Sequence, residues 1–103
     1  MEKFYSKVHI LGVGIHPEER TGRVIETRDN LFGIYKNEYN DYDIIDLNTG
    51  LSVNYLNHYR LKDIKAHIKD YDDKLEALKQ RTPKVYKQAC DEWIDLLNKN
   101  KTS

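Results

Sequence analysis

A single cysteine, Cys90, leaves no disulfide to form within the chain. Only two prolines and five glycines punctuate the 103 residues, so the breaks they make are few enough to locate. No apolar run approaches the roughly 20 residues that cross a bilayer. The opening Met1-Glu2-Lys3-Phe4-Tyr5-Ser6-Lys7 has no apolar stretch of signal-peptide length. The expected location is the cytoplasm. Net charge is missing too: 17 Lys and Arg balance 17 Asp and Glu. Residues 1–60 hold seven basic and nine acidic side chains, and residues 61–103 hold ten and eight. Neither part is the basic footprint of an unassisted nucleic-acid binder, and neither is an acidic tail.

What remains is a chain with 39% hydrophobic and 33% charged residues. It has the length of one domain, with a thin core under a heavily charged surface. Regular apolar spacing and zero net charge speak against disorder. Lys, Asn, Ile and Tyr are abundant and their codons are AT-rich, a composition that fits a low-GC bacterium or one of its mobile elements.

Residues 4–64 read as short strands cut by turns. Lys7-Val8-His9-Ile10-Leu11 alternates apolar and polar, as a half-buried strand does. Gly12 and Gly14 follow, and His16 to Gly22 reads as a polar loop. Arg23-Val24-Ile25-Glu26-Thr27 is a second strand, Asp29-Asn30 a turn, and Leu31-Phe32-Gly33-Ile34-Tyr35 a third strand, with Gly33 marking a bulge or close packing. Asn37 to Asp41 is a polar turn before Tyr42-Asp43-Ile44-Ile45-Asp46-Leu47. Asn48-Thr49-Gly50 is the clearest hairpin signal and is expected to be the tightest turn. Leu51-Ser52-Val53-Asn54-Tyr55 returns, Leu56-Asn57-His58-Tyr59 turns, and Arg60-Leu61-Lys62-Asp63-Ile64 closes the sheet.

Five or six strands without intervening helices predict a small antiparallel barrel. The strand at Lys7-Val8-His9-Ile10, Gly22-Arg23-Val24-Ile25-Glu26 after a polar loop, Tyr42-Asp43-Ile44-Ile45-Asp46, the Asn-Thr-Gly turn, Leu51-Ser52-Val53 and Tyr59-Arg60-Leu61 together resemble the SH3-like barrel class. The resemblance is one of fold. The Ala-Leu-Tyr-Asp-Tyr run and ligand-clamping tryptophan of signalling SH3 domains are absent, so binding of proline-rich peptides does not carry over.

From Leu61 the period changes. Leu61, Ile64, Ile68, Tyr71, Leu75 and Leu78 recur at spacings of 3 and 4, one stripe of a helix. The first two belong either to this helix or to the closing strand. Thr82 and Pro83 read as N-cap and first residue of a second helix. Its apolar positions, Val85, Tyr86, Ala89, Cys90, Trp93, Ile94, Leu96 and Leu97, make a wide face. The expected fold is α+β: an SH3-like β-barrel over 1–64, then a C-terminal helical hairpin over 65–103 packed on it as one compact domain.

Chemistry-bearing motifs are sparse. His9, His16, His58 and His67 lack partners at metal-ligand spacing, so no metal is expected, nor any cofactor. Cys90 on the apolar face reads as a buried small hydrophobe. Glu18-Glu19-Arg20 reads as a solvated loop, and Asp70, Asp72, Asp73 and Glu76 as a salt-bridged helix face. Gly12-Val13-Gly14 lacks the third glycine of a dinucleotide loop.

Six of the eight tyrosines precede residue 61, and Tyr39 and Tyr42 bracket a polar turn where packing demands little. With Arg20, Arg23 and Arg28 they form the expected binding set, placed on loop tips. Tyr86, Trp93, Leu96 and Leu97 form the expected interface set: so wide a face meets two neighbours, one of them a second copy or a partner. Alternatively Trp93, Leu96 and Leu97 plug the open end of the barrel. The leading reading is a non-enzymatic protein-binding module, of the kind a phage or mobile element uses to modulate a host protein, and a homodimer through its helices. A second reading is a nucleic-acid-binding barrel using Arg20, Arg23, Arg28 and Lys36 on phosphates, with Tyr35 or Tyr39 stacking on bases. A third is a small enzyme. No membrane association is expected.

Overall fold

The computed structural model describes residues 1–54 and 60–102. Five strands come first: β1 (Glu2–Ile10), β2 (Gly14–Glu26), β3 (Leu31–Lys36), β4 (Tyr42–Asp46) and β5 (Leu51–Ser52). Two helices follow, α1 (Leu61–Arg81) and α2 (Pro83–Thr102). The strands form one antiparallel sheet in the order β1-β2-β3-β4-β5, curled into a half-barrel. The arrangement is α+β, as expected. The expected turn at 56–59 lies outside the described residues.

The curl has a corner in β2. Its first part pairs with β1 as far as Glu2↔Gly22, and its last four residues pair with β3 from Arg23↔Ile34 onward. Gly22 sits at the change of partner, where an added Cβ would strike the Ile34 carbonyl oxygen. Only glycine lets the strands approach so closely there. The β1–β2 arm thus folds back over one face of β3 and β4.

That folding explains the unbroken apolar run Leu31–Tyr35. Phe32, Ile34 and Ile44 face α1, burying Ile64, Tyr71 and Leu75. Tyr35 and Ile45 face the other way, against Phe4 of β1. A strand covered on both faces needs apolar residues at every position, not at alternate ones. Gly33 is close packing, not a bulge: an added Cβ would lie 2.6 Å from the Phe4 ring. Each large side chain buried by α1 contributes about 1.5–3 kcal/mol before ordering costs.

Four expectations are corrected. The segment His16 to Gly22 is strand, not loop, because β1 pairs with it along its whole length. One side of this arm meets water, so its polar residues cost nothing. The predicted closing strand at 60–64 is instead the first turn of α1: the Leu61–Leu75 stripe is satisfied by one helix lying across the sheet. The helical part therefore begins at Leu61, not at 65. The Thr82 hydroxyl does not cap α2. It donates to the Leu78 carbonyl at 3.0 Å and closes α1, while the Thr82 carbonyl accepts from Tyr86 N–H. Finally, the tightest connection is the three-residue Leu11–Val13 turn of the β1–β2 hairpin, with Gly12 at its centre and Gly14 just after it at positive φ.

The Asn48-Thr49-Gly50 turn forms as expected, with Gly50 at φ 73°. It also closes the curl: Lys7 N–H of β1 donates to the Gly50 carbonyl at 2.7 Å. Beyond β5, the Asn54 side chain continues the ladder in place of backbone. Its Oδ1 accepts from Ile44 N–H at 2.6 Å and its Nδ2 donates to the Tyr42 carbonyl at 3.0 Å.

Candidate functional site

Two adjoining hollows open at the end of β3 and share Tyr35 and Lys36. Tyr35 belongs to the Phe4 side of the sheet, while Tyr42 packs toward α1, so the hollows lie on either side of the strand's end. The larger, about 450 Å³, has Ile34, Tyr42 and Leu61 among its apolar walls and Glu2, Arg23 and Lys36 as its charged groups. The smaller, about 380 Å³, is lined by Arg20, Tyr35, Asn37, Glu38, Tyr39 and Asp43 besides Lys36.

The framework of the smaller hollow is pre-arranged. Arg20 Nε donates to Ser6 Oγ at 3.0 Å, and the guanidinium lies 4.6 Å from the centre of the Tyr35 ring. The Tyr35 hydroxyl donates to Asp43 at 2.8 Å. Burial first, then Asp43, pushes the phenol from its ordinary 10.0 up to about 12. Asn37 ties the β3–β4 turn. Its Oδ1 accepts from Tyr39 N–H at 2.9 Å, and its Nδ2 donates to Asp41 and Asp43. Asn40 takes the left-handed conformation that such turns require, at φ 67°. The result is a rigid turn that holds the Tyr39 ring outward, 78% exposed.

Of the expected binding set, four residues come together here: Arg20, Arg23, Tyr39 and Tyr42. Tyr39 is on a loop tip, whereas Arg20 and Arg23 are on β2 and Tyr42 begins β4. Arg28 stands apart, exposed in the β2–β3 connection. Tyr35, expected only as a stacking residue of the nucleic-acid reading, is instead the residue around which the others gather; the sequence cannot show that Arg20 crosses over it.

The expected interface set is divided. Trp93 is 2% exposed and lies on the β4–β5 turn, with Gly50 leaving the space its indole fills and Lys7 Nζ 5.6 Å from the ring. It is buried against that turn and does not face outward. Tyr86 is half-buried and donates its hydroxyl to Asp46 at 2.7 Å. Leu96 and Leu97 are half-buried. The apolar residues α2 exposes are Val85 and Ile94.

Asp46 was also missed. It is 1% exposed and accepts from Asn48 N–H, Thr49 Oγ1 and Tyr86. An aspartate just before an Asn-Thr-Gly turn is the signal that finds it, because its carboxylate completes the turn. Beside it, burial and the Asp46 charge push the Cys90 thiol up, away from the reactive thiolate. His9 and His16 are exposed on the β1–β2 arm, and His67 is 3.3 Å from Asp70. Among the described residues, no three His, Cys, Asp or Glu are grouped to hold a metal, and no helix is long and apolar enough to cross a membrane.

Comparison of the chain with family models, with curated proteins and with solved structures finds no match. The geometry of the site therefore carries the functional argument alone.

Proposed function

We propose that this chain is a non-enzymatic protein-binding module whose ligand surface is the pair of hollows around Tyr35 and Lys36. The observation that carries the reading is that two hollows adjoining at Tyr35 and Lys36 take Arg23 and Tyr42 in one and Arg20 and Tyr39 in the other. Exposed tyrosine and arginine held on a firm frame are the residues that dominate protein interfaces, because they bury much area at little entropy cost. The charges are mixed: Arg20, Arg23 and Lys36 stand among Glu2, Glu38 and Asp43. A polyphosphate backbone placed here would meet three carboxylates. A peptide segment with an aromatic or aliphatic anchor and charges of both signs suits it better. The finer reading is an accessory protein of a phage or mobile element that modulates a host protein. It rests on small size and composition.

A photo-crosslinking amino acid in place of Tyr39 tests this in cells. The expected outcome is one dominant protein adduct. Arg23→Glu and Tyr39→Ala should each weaken binding of that protein by tenfold or more, about 1.4 kcal/mol, with melting unchanged. Salt-dependent binding of labelled single-stranded DNA or RNA, abolished by the same substitutions, would replace the protein reading by the nucleic-acid one. Unaltered affinity in both variants would move the site elsewhere.

A further inference from the structure

The β1–β2 hairpin ends in an uncovered aliphatic tip. Leu11 is 97% and Val13 75% exposed, with Ile10 and Ile15 exposed beside them. Nothing lies within 4 Å of where a Cβ would be at Gly12 or Gly14. From Val8 to Pro17 there is no Asp, Glu, Lys or Arg, in a chain one-third charged. A cluster of bare aliphatic side chains on a protruding hairpin marks a contact surface.

The same molecule holds an apolar cleft of about 170 Å³ where the β4–β5 turn meets the junction of α1 and α2. Its walls include Leu51, Val53, Leu75, Leu78, Val85 and Ala89. Val85 is 65% exposed, and Leu51 and Leu78 are exposed at the rim. The one carboxylate in the cleft, Asp46, is already satisfied by Thr49 and Tyr86, so the cleft asks its occupant for no polar group.

We propose that the hairpin tip of one copy docks into this cleft of a second copy. Knob and cleft agree in size, since the cleft has room for a pair of aliphatic side chains; past Leu75 and Leu78 it adjoins a more polar hollow of about 540 Å³ bordered by Lys74 and Arg81. They agree in chemistry, since the tip brings no charge to be desolvated. The chain's own tip cannot serve. Lys7 is bonded to Gly50 beside the cleft, and the four residues from Lys7 to Leu11 carry the tip roughly 13 Å away along β1. A net charge of zero puts no long-range repulsion between copies. A lipid surface fits less well. The nearest charges flanking the tip along the two strands are Lys7 and Glu18, one of each sign, which is not the basic collar an anionic membrane attracts. Reciprocal exchange of tips closes a two-fold pair. It differs from the dimer expected through Tyr86, Trp93, Leu96 and Leu97, in which Trp93, already buried, has little surface left to offer.

Sedimentation equilibrium across a wide concentration range tests the proposal. Wild type should show reversible self-association. Leu11→Asp and Val85→Asp alter exposed side chains, so both should fold, which circular dichroism checks. Each should lose about tenfold or more in association constant, the scale of one aliphatic side chain removed from an apolar contact. Mixing the two variants is the decisive arm. Leu11→Asp keeps its cleft and Val85→Asp keeps its tip, so the mixture should associate more tightly than either alone. A wild type that stays monomeric to millimolar concentration would overturn the proposal. So would full association of Leu11→Asp, or a mixture no tighter than its components. Tip-dependent cosedimentation of a monomer with phosphatidylcholine vesicles would overturn it in favour of lipid.

Discussion

Position 50 has no room for a methyl group. An added Cβ would lie 2.6 Å from Trp93 Cε2, and the backbone there is at φ 73°. The two penalties are separable. Positive φ costs a non-glycine residue roughly 1–2 kcal/mol, and overpacking costs about 1–3 kcal/mol. Gly50→Val should therefore lose several kcal/mol, and its Trp93 emission should shift to the red. Gly50→Asn, which tolerates the backbone but still meets the indole, should fall between Val and wild type in denaturant midpoint. Tyr35 makes a second prediction at this scale. Its phenol is held protonated by burial and by Asp43, up to about 12 against the ordinary 10.0. A raised pKa in the folded state contributes stability that is complete below 10.0 and is lost as pH rises toward and through about 12. Denaturant melts of Tyr35→Phe should show a shallower loss over that window. Equal slopes in the two proteins would mean that neither burial nor Asp43 holds the phenol protonated.

Between elements, short polar ties fix how the helices lie on the sheet. Tyr86 of α2 donates to the buried Asp46 at the end of β4. Tyr86→Phe leaves that carboxylate short of a donor and should cost about 1.5–3 kcal/mol in chemical melts, the usual worth of a hydrogen bond to a charged group. At the other end, Asp72 of α1 accepts from Thr27 Oγ1 and Asn30 Nδ2, both at 2.6 Å, and so holds the β2–β3 turn. Burial alone would push the Asp72 carboxyl up, but these two donors and the Lys79 charge outweigh it and hold it below its usual range. Its contribution is present above the unfolded value of roughly 3.9 and is lost as pH falls through the lower folded value. Acid titration of Asp72→Asn should accordingly show a shallower fall in stability. The sequence disclosed much of this architecture but not these ties. Asn48-Thr49-Gly50 and the Leu61–Leu78 stripe were legible because turn chemistry and helical period are local. The strand at His16–Gly22 was hidden, since a polar segment becomes strand only when a partner such as β1 supplies its bonds. The same holds for the site. Arg and Tyr as residue types were visible, but the crossing of Arg20 over Tyr35 depends on the corner at Gly22, a tertiary feature with no local mark.

For the whole molecule, the curl closes where a backbone bond from Lys7 to Gly50 joins the first strand to the last turn, with Trp93 packed against Gly50. Trp93→Ala should cost about 3–5 kcal/mol, as large aromatic truncations do. Amide exchange should then quicken at Lys7 more than in β3, whose backbone is bonded on both sides. Uniform acceleration would show instead that sheet and helix open together. The strand order has a kinetic consequence as well. Each strand bonds to the next in sequence, so the chain can zip from turn to turn with short loops to close at each step. The distant meetings come later, among them the one in which residues 7, 50 and 93 find each other. In stopped-flow refolding, secondary structure should develop ahead of the Trp93 signal, and Gly50→Asn should slow the second phase while sparing the first.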